Sequence, residues 1–407
     1  MGIEVNEKAV KYIVHDDTFF TSVRLGSEEI WVSEHSITLY DIIHTSSVRY
    51  FVHVCSGITV EQGYTLEVLS GGTATNVKLI YTGEYTSHQG GSLVVSSGGT
   101  ATSTNVDYNG FLLVSSGGIA LNTLVVSGGD LITYSGGYAS GAVISQSGFL
   151  AVSGGTAENL ELVKPSLAYV ESGGQASNVT ISSGTIEVRY SGTISGLSVK
   201  NGGIVTARTG GAITSAAISS GGQIIVYTSC TASGVRILEH GQLILPWDGG
   251  QAVGTIIETA GNLIVSGGTA DSTTVNMSGE ISVAESGVTS NTTLKSWDAT
   301  IHIHSGGFAD NTAVSSGGSM RIYSGGTAAS TALLDRCDLN IESGGIALNT
   351  SLNSGGEMVV SFGGSANSTT VNSGGYLFVS SGGTALNVVS SAGAVISAAG
   401  GAYITYA

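Results

Sequence analysis

Charge is scarce in this chain. Lys and Arg number 13 and Asp and Glu 29 among 407 residues, so charged residues are 10% of the sequence and the formal net charge is −16. A sparse, acidic surface repels nucleic acid and anionic membrane, which removes both as expected direct ligands. No uninterrupted apolar run is long enough to cross a bilayer, so membrane insertion of this chain is not expected either. Cysteine is equally rare. Cys55, Cys230 and Cys337 are odd in number and far apart, which argues against a disulfide framework and reads as three unpaired small residues. The N-terminal stretch MGIEVNEKAVKYIVHDD has early acidic residues and no apolar core segment, so it reads as no secretory signal. The chain also lacks a P-loop, a GxSxG elbow, an HExxH pair and paired CxxC motifs. Its glycine repeats lack the Asp of calcium-binding GGxGxDxUx coils. No cofactor and no metal are expected.

What the chain has is glycine, 62 residues of it, in a regular pattern. With Ala101 as a marker, the same local pattern returns at Ala120, Ala139, Ala157, Ala176, Ile194, Ile213, Ala232, Ala252 and Ala270. It continues at Thr289, Ala309, Ala328, Ala347, Ala366 and Ala385, and an earlier copy sits at Ala74. The period is about 19 residues, in the range of solenoid repeats. Two residues after each marker stands Asn, Ser or Gly, as at Asn122, Asn178, Ser215 and Gly254. These types tolerate corner geometry. Aliphatic residues follow five positions after the marker, as at Val106, Val125, Leu162 and Ile237, and positions three after it are mostly Thr, Val, Leu or Ala. A second pair lies eleven and thirteen positions on, as in Leu112 with Val114, Ile224 with Val226 and Met320 with Ile322. Inward positions spaced by two make short strands, so each repeat is expected to carry two.

Gly-Gly pairs such as Gly117-Gly118, Gly136-Gly137, Gly317-Gly318, Gly355-Gly356 and Gly374-Gly375 fall between the strands and read as tight corners. A repeat this short leaves no room for a helix beside a strand. The expected fold is all-β: a parallel β-helix, or β-solenoid, with ~19-residue coils whose stacked aliphatic side chains supply a continuous core. About seventeen coils spaced ~4.8 Å apart would extend on the order of 80 Å. Recurrent Asn and Thr are expected to add hydrogen bonds between coils. Residues 1–58 are much denser in charge, with Glu28, Glu29, Glu34, Asp41 and Arg49 among others. They read either as an N-terminal β cap that covers the open solenoid end or as degenerate first coils, with residues 59–407 forming the β-helix.

Chemistry is thin along the repeats. Asp335, Arg336 and Asp338, followed by Glu342, form the densest charge cluster and read as a solvated corner. His302 and His304 flank inward Ile303 and should project outward together, but no third ligand accompanies them. The outward positions twelve and fourteen after the marker are more informative. They hold Tyr134, Tyr169, Glu171, Arg208, Tyr227, Arg321, Tyr323, Asn340, Glu342 and Phe378. His302 and His304 take the equivalent places in a twenty-residue coil, and Glu187 and Arg189 do so with a shift of one. Tyr, Arg and His are the residues of contact surfaces. The bland alternative is that outward strand positions favour aromatics for their β propensity.

The phrase SGGTAxNTxV, nearly intact from Ser116 to Val125 and again from Gly344 to Leu352, resembles the strand-loop-strand repeats of autotransporter passengers, in particular self-associating adhesins of the diffuse-adherence type. The resemblance spans roughly residues 64–402. It implies a right-handed β-helix displayed on a Gram-negative cell surface, acting in cell–cell aggregation, biofilm formation or host attachment and not as an enzyme. Partners would be a second copy of the chain or a host-surface or glycan ligand. Some members carry sugars on Ser and Thr of these repeats, and the many Ser and Thr here would permit that. Other readings are a β-helical protein that binds or cleaves polysaccharide, or a purely structural stalk. No translocator barrel is recognisable, and the sequence ends in repeat-like residues.

Overall fold

The computed structural model describes residues 4–5, 22–25, 28–31, 48–81, 90–163 and 165–407. Most of the segment expected to be a cap or degenerate first coils therefore lies outside the described residues. Within it, Glu4–Val5 pairs in parallel with Ser22–Leu25, which pairs antiparallel with Glu28–Trp31. Val48–Ser56 pairs in parallel with Tyr64–Thr75. The fold is a right-handed parallel β-helix, and the chain divides into two compact units, Met1–Val179 and Thr180–Ala407.

Within the first unit, one coil runs through Thr100–Thr102, Asn105–Val106 and Phe111–Val114, and the next through Ile119–Leu121, Leu124–Val125 and Asp130–Tyr134. Each strand pairs in parallel with its counterpart one coil on, residue for residue: Ala101 with Ala120, Val106 with Val125, Leu112 with Leu131. The second unit repeats this scheme, for example through Ile346–Leu348, Ser351–Leu352 and Glu357–Val360. A coil thus has three short strands, not the expected two. The additional strand is the one that carries the marker. Ala101, Ala120, Ala270 and Ala347 are all buried, but a methyl group gives too weak a hydrophobic signal to mark a strand in the sequence. In several coils the marker strand and its successor run together through the corner, as in Thr193–Lys200.

The corner itself is uniform. Every one of the positions two residues after a marker, from Asn76 to Asn387, has a positive φ, between 49° and 72°. Asn and Ser reach this left-handed region at modest cost and Gly at none. Asn side chains also tie successive corners together: Asn178 Nδ2 donates to Asn159 Oδ1 at 3.4 Å, and Asn159 Nδ2 to Ser140 Oγ at 3.1 Å. In the second unit Asn311 Nδ2 donates to Asn291 Oδ1 at 2.7 Å, and Asn291 Nδ2 to Asp271 Oδ1 at 2.6 Å. Ser290 and Ser272 donate to Asp271 as well, and these bonds, Ser290 first, hold its carboxyl below the usual range.

Thr bonds between coils are fewer: Thr133 Oγ1 donates to the Ala151 carbonyl at 3.3 Å and Thr214 Oγ1 to that of Ile194 at 3.5 Å. Thr255, Thr273, Thr292, Thr312, Thr350 and Thr369 sit three positions after their markers with side chains turned inward, and their hydroxyls meet no hydrogen-bond partner. Facing the core, they pack as β-branched residues of Val's shape instead of bridging coils.

The glycine pairs carry two separate requirements. At Gly128 the φ is +82° and the space around it is open; at Gly129 a Cβ would lie 2.4 Å from the Val106 carbonyl oxygen of the preceding coil. One glycine is there for its conformation and the other for the close approach of neighbouring coils. The three cysteines are free and buried. Burial pushes the Cys55 thiol up to about 11 and raises those of Cys230 and Cys337, which suppresses thiolate chemistry.

Candidate contact surface

The strand about ten to thirteen positions after the marker turns alternate residues inward and outward. In Thr300–Ile303, Ile301 and Ile303 are fully buried while His302 faces out. Because the register is residue for residue, outward side chains of consecutive coils line up in rows.

In the first unit, Tyr134, Ser153 and Glu171 are successive members of one row. Tyr134 is exposed, and Ser153 Oγ donates to Glu171 Oε1 at 3.1 Å. Tyr169 belongs to the adjacent row and meets Phe149 of the preceding coil edge-on, with centroids 5.3 Å apart and planes at 79°. Edge-to-face contact of this kind fixes both rings.

The second unit gathers the remaining strip residues into two clusters. In the first, Arg189 Nη1, just past the strand Thr185–Val188, lies 3.7 Å from Glu187 Oε1, and the guanidinium of Arg208 sits 3.9 Å from the centroid of the Tyr227 ring one coil on. Stacked guanidinium–ring geometry is worth ~0.5–1 kcal/mol at an exposed site. Pro246, Ser266 and Ala284 occupy the equivalent places in the next coils, so the strip is interrupted there.

The second cluster resumes at His304. Its imidazole stacks on Tyr323, with centroids 4.7 Å apart and planes at 2°. The Tyr323 hydroxyl is 3.4 Å from His302 Nδ1, and His302 Nε2 is 3.9 Å from Glu280 Oε1. Arg321 and Glu342 approach to 3.8 Å across neighbouring coils. Burial holds His302 below the ordinary histidine range; the Glu280 carboxylate opposes this, and the charges of His304 and Arg321 reinforce it. Asn340 and Phe378 are outward in the following coils. The cluster is an aromatic face bordered by both signs of charge, a composition suited to protein or glycan contacts.

His302 and His304 both engage Tyr323, and among the described residues no group of three or more His, Cys, Asp or Glu converges. Asp335, Arg336 and Asp338 are exposed, with Arg336 at a positive φ, and surround the buried Cys337. They form a solvated corner, while Glu342 turns to Arg321. A surface depression lined by His240, Gln242, Asn262, Ser278 and Glu280, with three small neighbours, contains one carboxylate; glycoside hydrolysis ordinarily uses two.

Sequence reasoning overlooked two features. Trp247 and Trp297 are about 70% exposed. Each lies in a coil of twenty residues, so the additional residue, visible as a longer step in the period, was the available signal. The other is the outward row ten positions after the marker, where Phe111, Asp130 and Phe149 stand in register.

Residues 146–203 and 340–394 match the family described as adhesin of bacterial autotransporter system, probable stalk. Among solved structures, the chain is similar to the TibC-catalyzed hyper-glycosylated TibA55-350 fragment, at 27% identity over 86% of this chain and 99% of that one, with a TM-score of 0.34. It also aligns with endo-xylogalacturonan hydrolase from Aspergillus tubingensis at 12% identity, over 81% of this chain and 95% of that one, with a TM-score of 0.13. Among curated proteins no match is found.

Proposed function

We propose that the chain is part of an autotransporter adhesin passenger and acts on the surface of a Gram-negative cell as a non-enzymatic adhesive segment, since two stretches of its repeats match the adhesin-stalk family. Its outward clusters would engage a second copy of the chain or a host-surface or glycan ligand, in aggregation, biofilm formation or attachment. The match of the stalk family to two separate stretches of repeats carries this reading. The clusters at Arg208 and Tyr227 and at His302, His304 and Tyr323 supply its mechanism: single contacts of modest strength, multiplied by many copies on a surface.

A spacer role is the second reading, favoured by the family's own description as a probable stalk. Beads coated with the purified chain separate the two. Clumping that soluble chain competes away, and that weakens when Tyr134, Tyr169, Tyr227 and Tyr323 are replaced by Ser, supports adhesion through these clusters. Dispersed beads would favour a host ligand or a spacer. Clumping that survives the four substitutions would remove the clusters from the mechanism.

A further inference from the structure

The row ten positions after the marker has an unusual occupant in the first unit. Phe111, Asp130 and Phe149 are consecutive members of this row, one per coil, paired in register. All three face outward and are half-buried. Asp is short and Phe is long, so the register sets the carboxyl group between two larger rings, a slot whose Phe149 side is braced by the edge-on contact with Tyr169. Two coils separate the rings, a spacing of ~9–10 Å. A group seated above the carboxylate would thus lie ~5 Å from each, within the ~6 Å over which a cation is attracted to an aromatic face.

The slot has a charge, and among the described residues no side chain balances it. The Asp130 backbone N–H donates to the Gly110 carbonyl, while burial alone accounts for the shift of its carboxyl, with no hydrogen bond or charge contributing. The strands Ser92–Val95, Phe111–Val114, Gly148–Ser153 and Ser166–Glu171 contain no Lys, Arg or His. The titratable groups facing this surface are Tyr134 on the same strand and Tyr169 and Glu171 two coils away, while Phe111–Val114 and Gly148–Ser153 contribute none. A desolvated carboxylate without a counter-ion is costly unless something pairs with it. The aromatic walls favour a weakly hydrated cation over a metal ion, since they offer π-faces and no oxygen ligands.

We propose that Phe111, Asp130 and Phe149 form a binding slot for an organic ammonium group, with Asp130 as counter-charge and the two rings as walls. The site adjoins Tyr134 and Tyr169 of the contact strip, Tyr169 bracing Phe149, but it does not involve the clusters at Arg208 and at His302. Burial lifts the Asp130 carboxyl to about 6, so binding is coupled to pH. About a tenth of the carboxyl is ionised at pH 5 and about nine-tenths at pH 7, which makes binding about tenfold weaker at the lower pH.

The test uses the full chain with carbon-13-labelled Asp and Phe. Tetramethylammonium chloride is titrated against sodium chloride at equal ionic strength and against 3,3-dimethylbutan-1-ol, the uncharged isostere of choline. The expected result is saturable movement of the Asp130 carboxyl and the two ring signals with tetramethylammonium alone, about tenfold weaker at pH 5, abolished by Asp130→Asn and weakened severalfold by Phe111→Leu. A peptide lysine and a choline-type headgroup share this chemistry. Tighter binding of acetyl-lysine amide than of tetramethylammonium assigns the slot to the first, and the reverse order to the second. Absence of saturable movement, equal response to sodium or to the neutral isostere, or full binding by Asp130→Asn would overturn the proposal. If Asp130→Asn fails to fold, the two controls and the Phe111→Leu variant still decide it.

Discussion

Two titratable side chains define what single residues do here. His302 is partly buried among Glu280, His304, Arg321 and Tyr323, and burial is the main reason its proton is lost more readily than usual. It therefore stays neutral further into the acid range than an ordinary histidine. Its imidazole titration, followed by NMR, is expected to have a midpoint below the ordinary value near 6.5. Glu280→Gln removes the one charge that favours protonation and should lower the midpoint further, whereas Arg321→Ala should raise it. Asp130 acts in the opposite sense. Its carboxyl moves from 3.8 to about 6 on burial, so the folded state holds the proton more tightly than the unfolded one. Stability should consequently fall as pH rises from about 4 to about 6 and change no further on this account above that. The full move is equivalent to ~3 kcal/mol, and partial exposure reduces it to ~1–2 kcal/mol. Asp130→Asn is expected to raise the urea midpoint at pH 7 and leave it almost unchanged near pH 4. Equal gains at both values would sever the link to ionisation.

At the scale of the element, the glycine turns show why a regular sequence gives a regular coil. Gly128→Ala is expected to cost ~1–2 kcal/mol, the strain of a left-handed alanine in open space. Gly129→Ala should cost more, because its Cβ would lie 2.4 Å from a backbone oxygen that is fixed by the ladder of the adjacent coil. Paired denaturation curves measure the difference, and equal losses would refute the division of roles. The sequence displayed these turns, the aliphatic rows and the corner after each marker, because each is a side-chain requirement repeated in every coil. It concealed the third strand, whose inward residue is only a methyl group at Ala101 or Ala347. It revealed which residues face outward, but not their partners. The stacking of His304 on Tyr323, and the placement of Asp130 between two phenylalanines, follow from the coil-to-coil register, which needs the length of each individual coil to be known. The same dependence hid Trp247 and Trp297, carried outward by coils of twenty residues where the others from Ala101 on have eighteen or nineteen.

For the molecule as a whole, periodicity makes contact and stability separable. A coil touches mainly the coils on either side, so excising one full period rejoins equivalent positions and retains the ladder, whereas excising half a period turns inward residues outward. Deleting residues 309–327 brings Phe308 before Ala328 and removes Arg321 and Tyr323, the centre of the histidine cluster. Deleting residues 347–365 rejoins the chain in the same way and leaves that cluster whole. Both variants are expected to keep their β circular dichroism and to unfold within a few degrees of each other, while removal of 347–355 alone should disrupt folding. If the histidine cluster mediates contact, coated-bead clumping should drop severalfold in the first variant and persist in the second, since avidity multiplies any loss in the single contact. Clumping must also overcome repulsion between chains of net charge −16, so it should be faster at ~150 mM salt, where the Debye length is ~8 Å, than at ~10 mM, where it is ~30 Å. Equal clumping by both full-period variants at both salt concentrations would place adhesion outside the histidine cluster, leaving the Arg208 and Tyr227 cluster as the next surface to delete by the same rule.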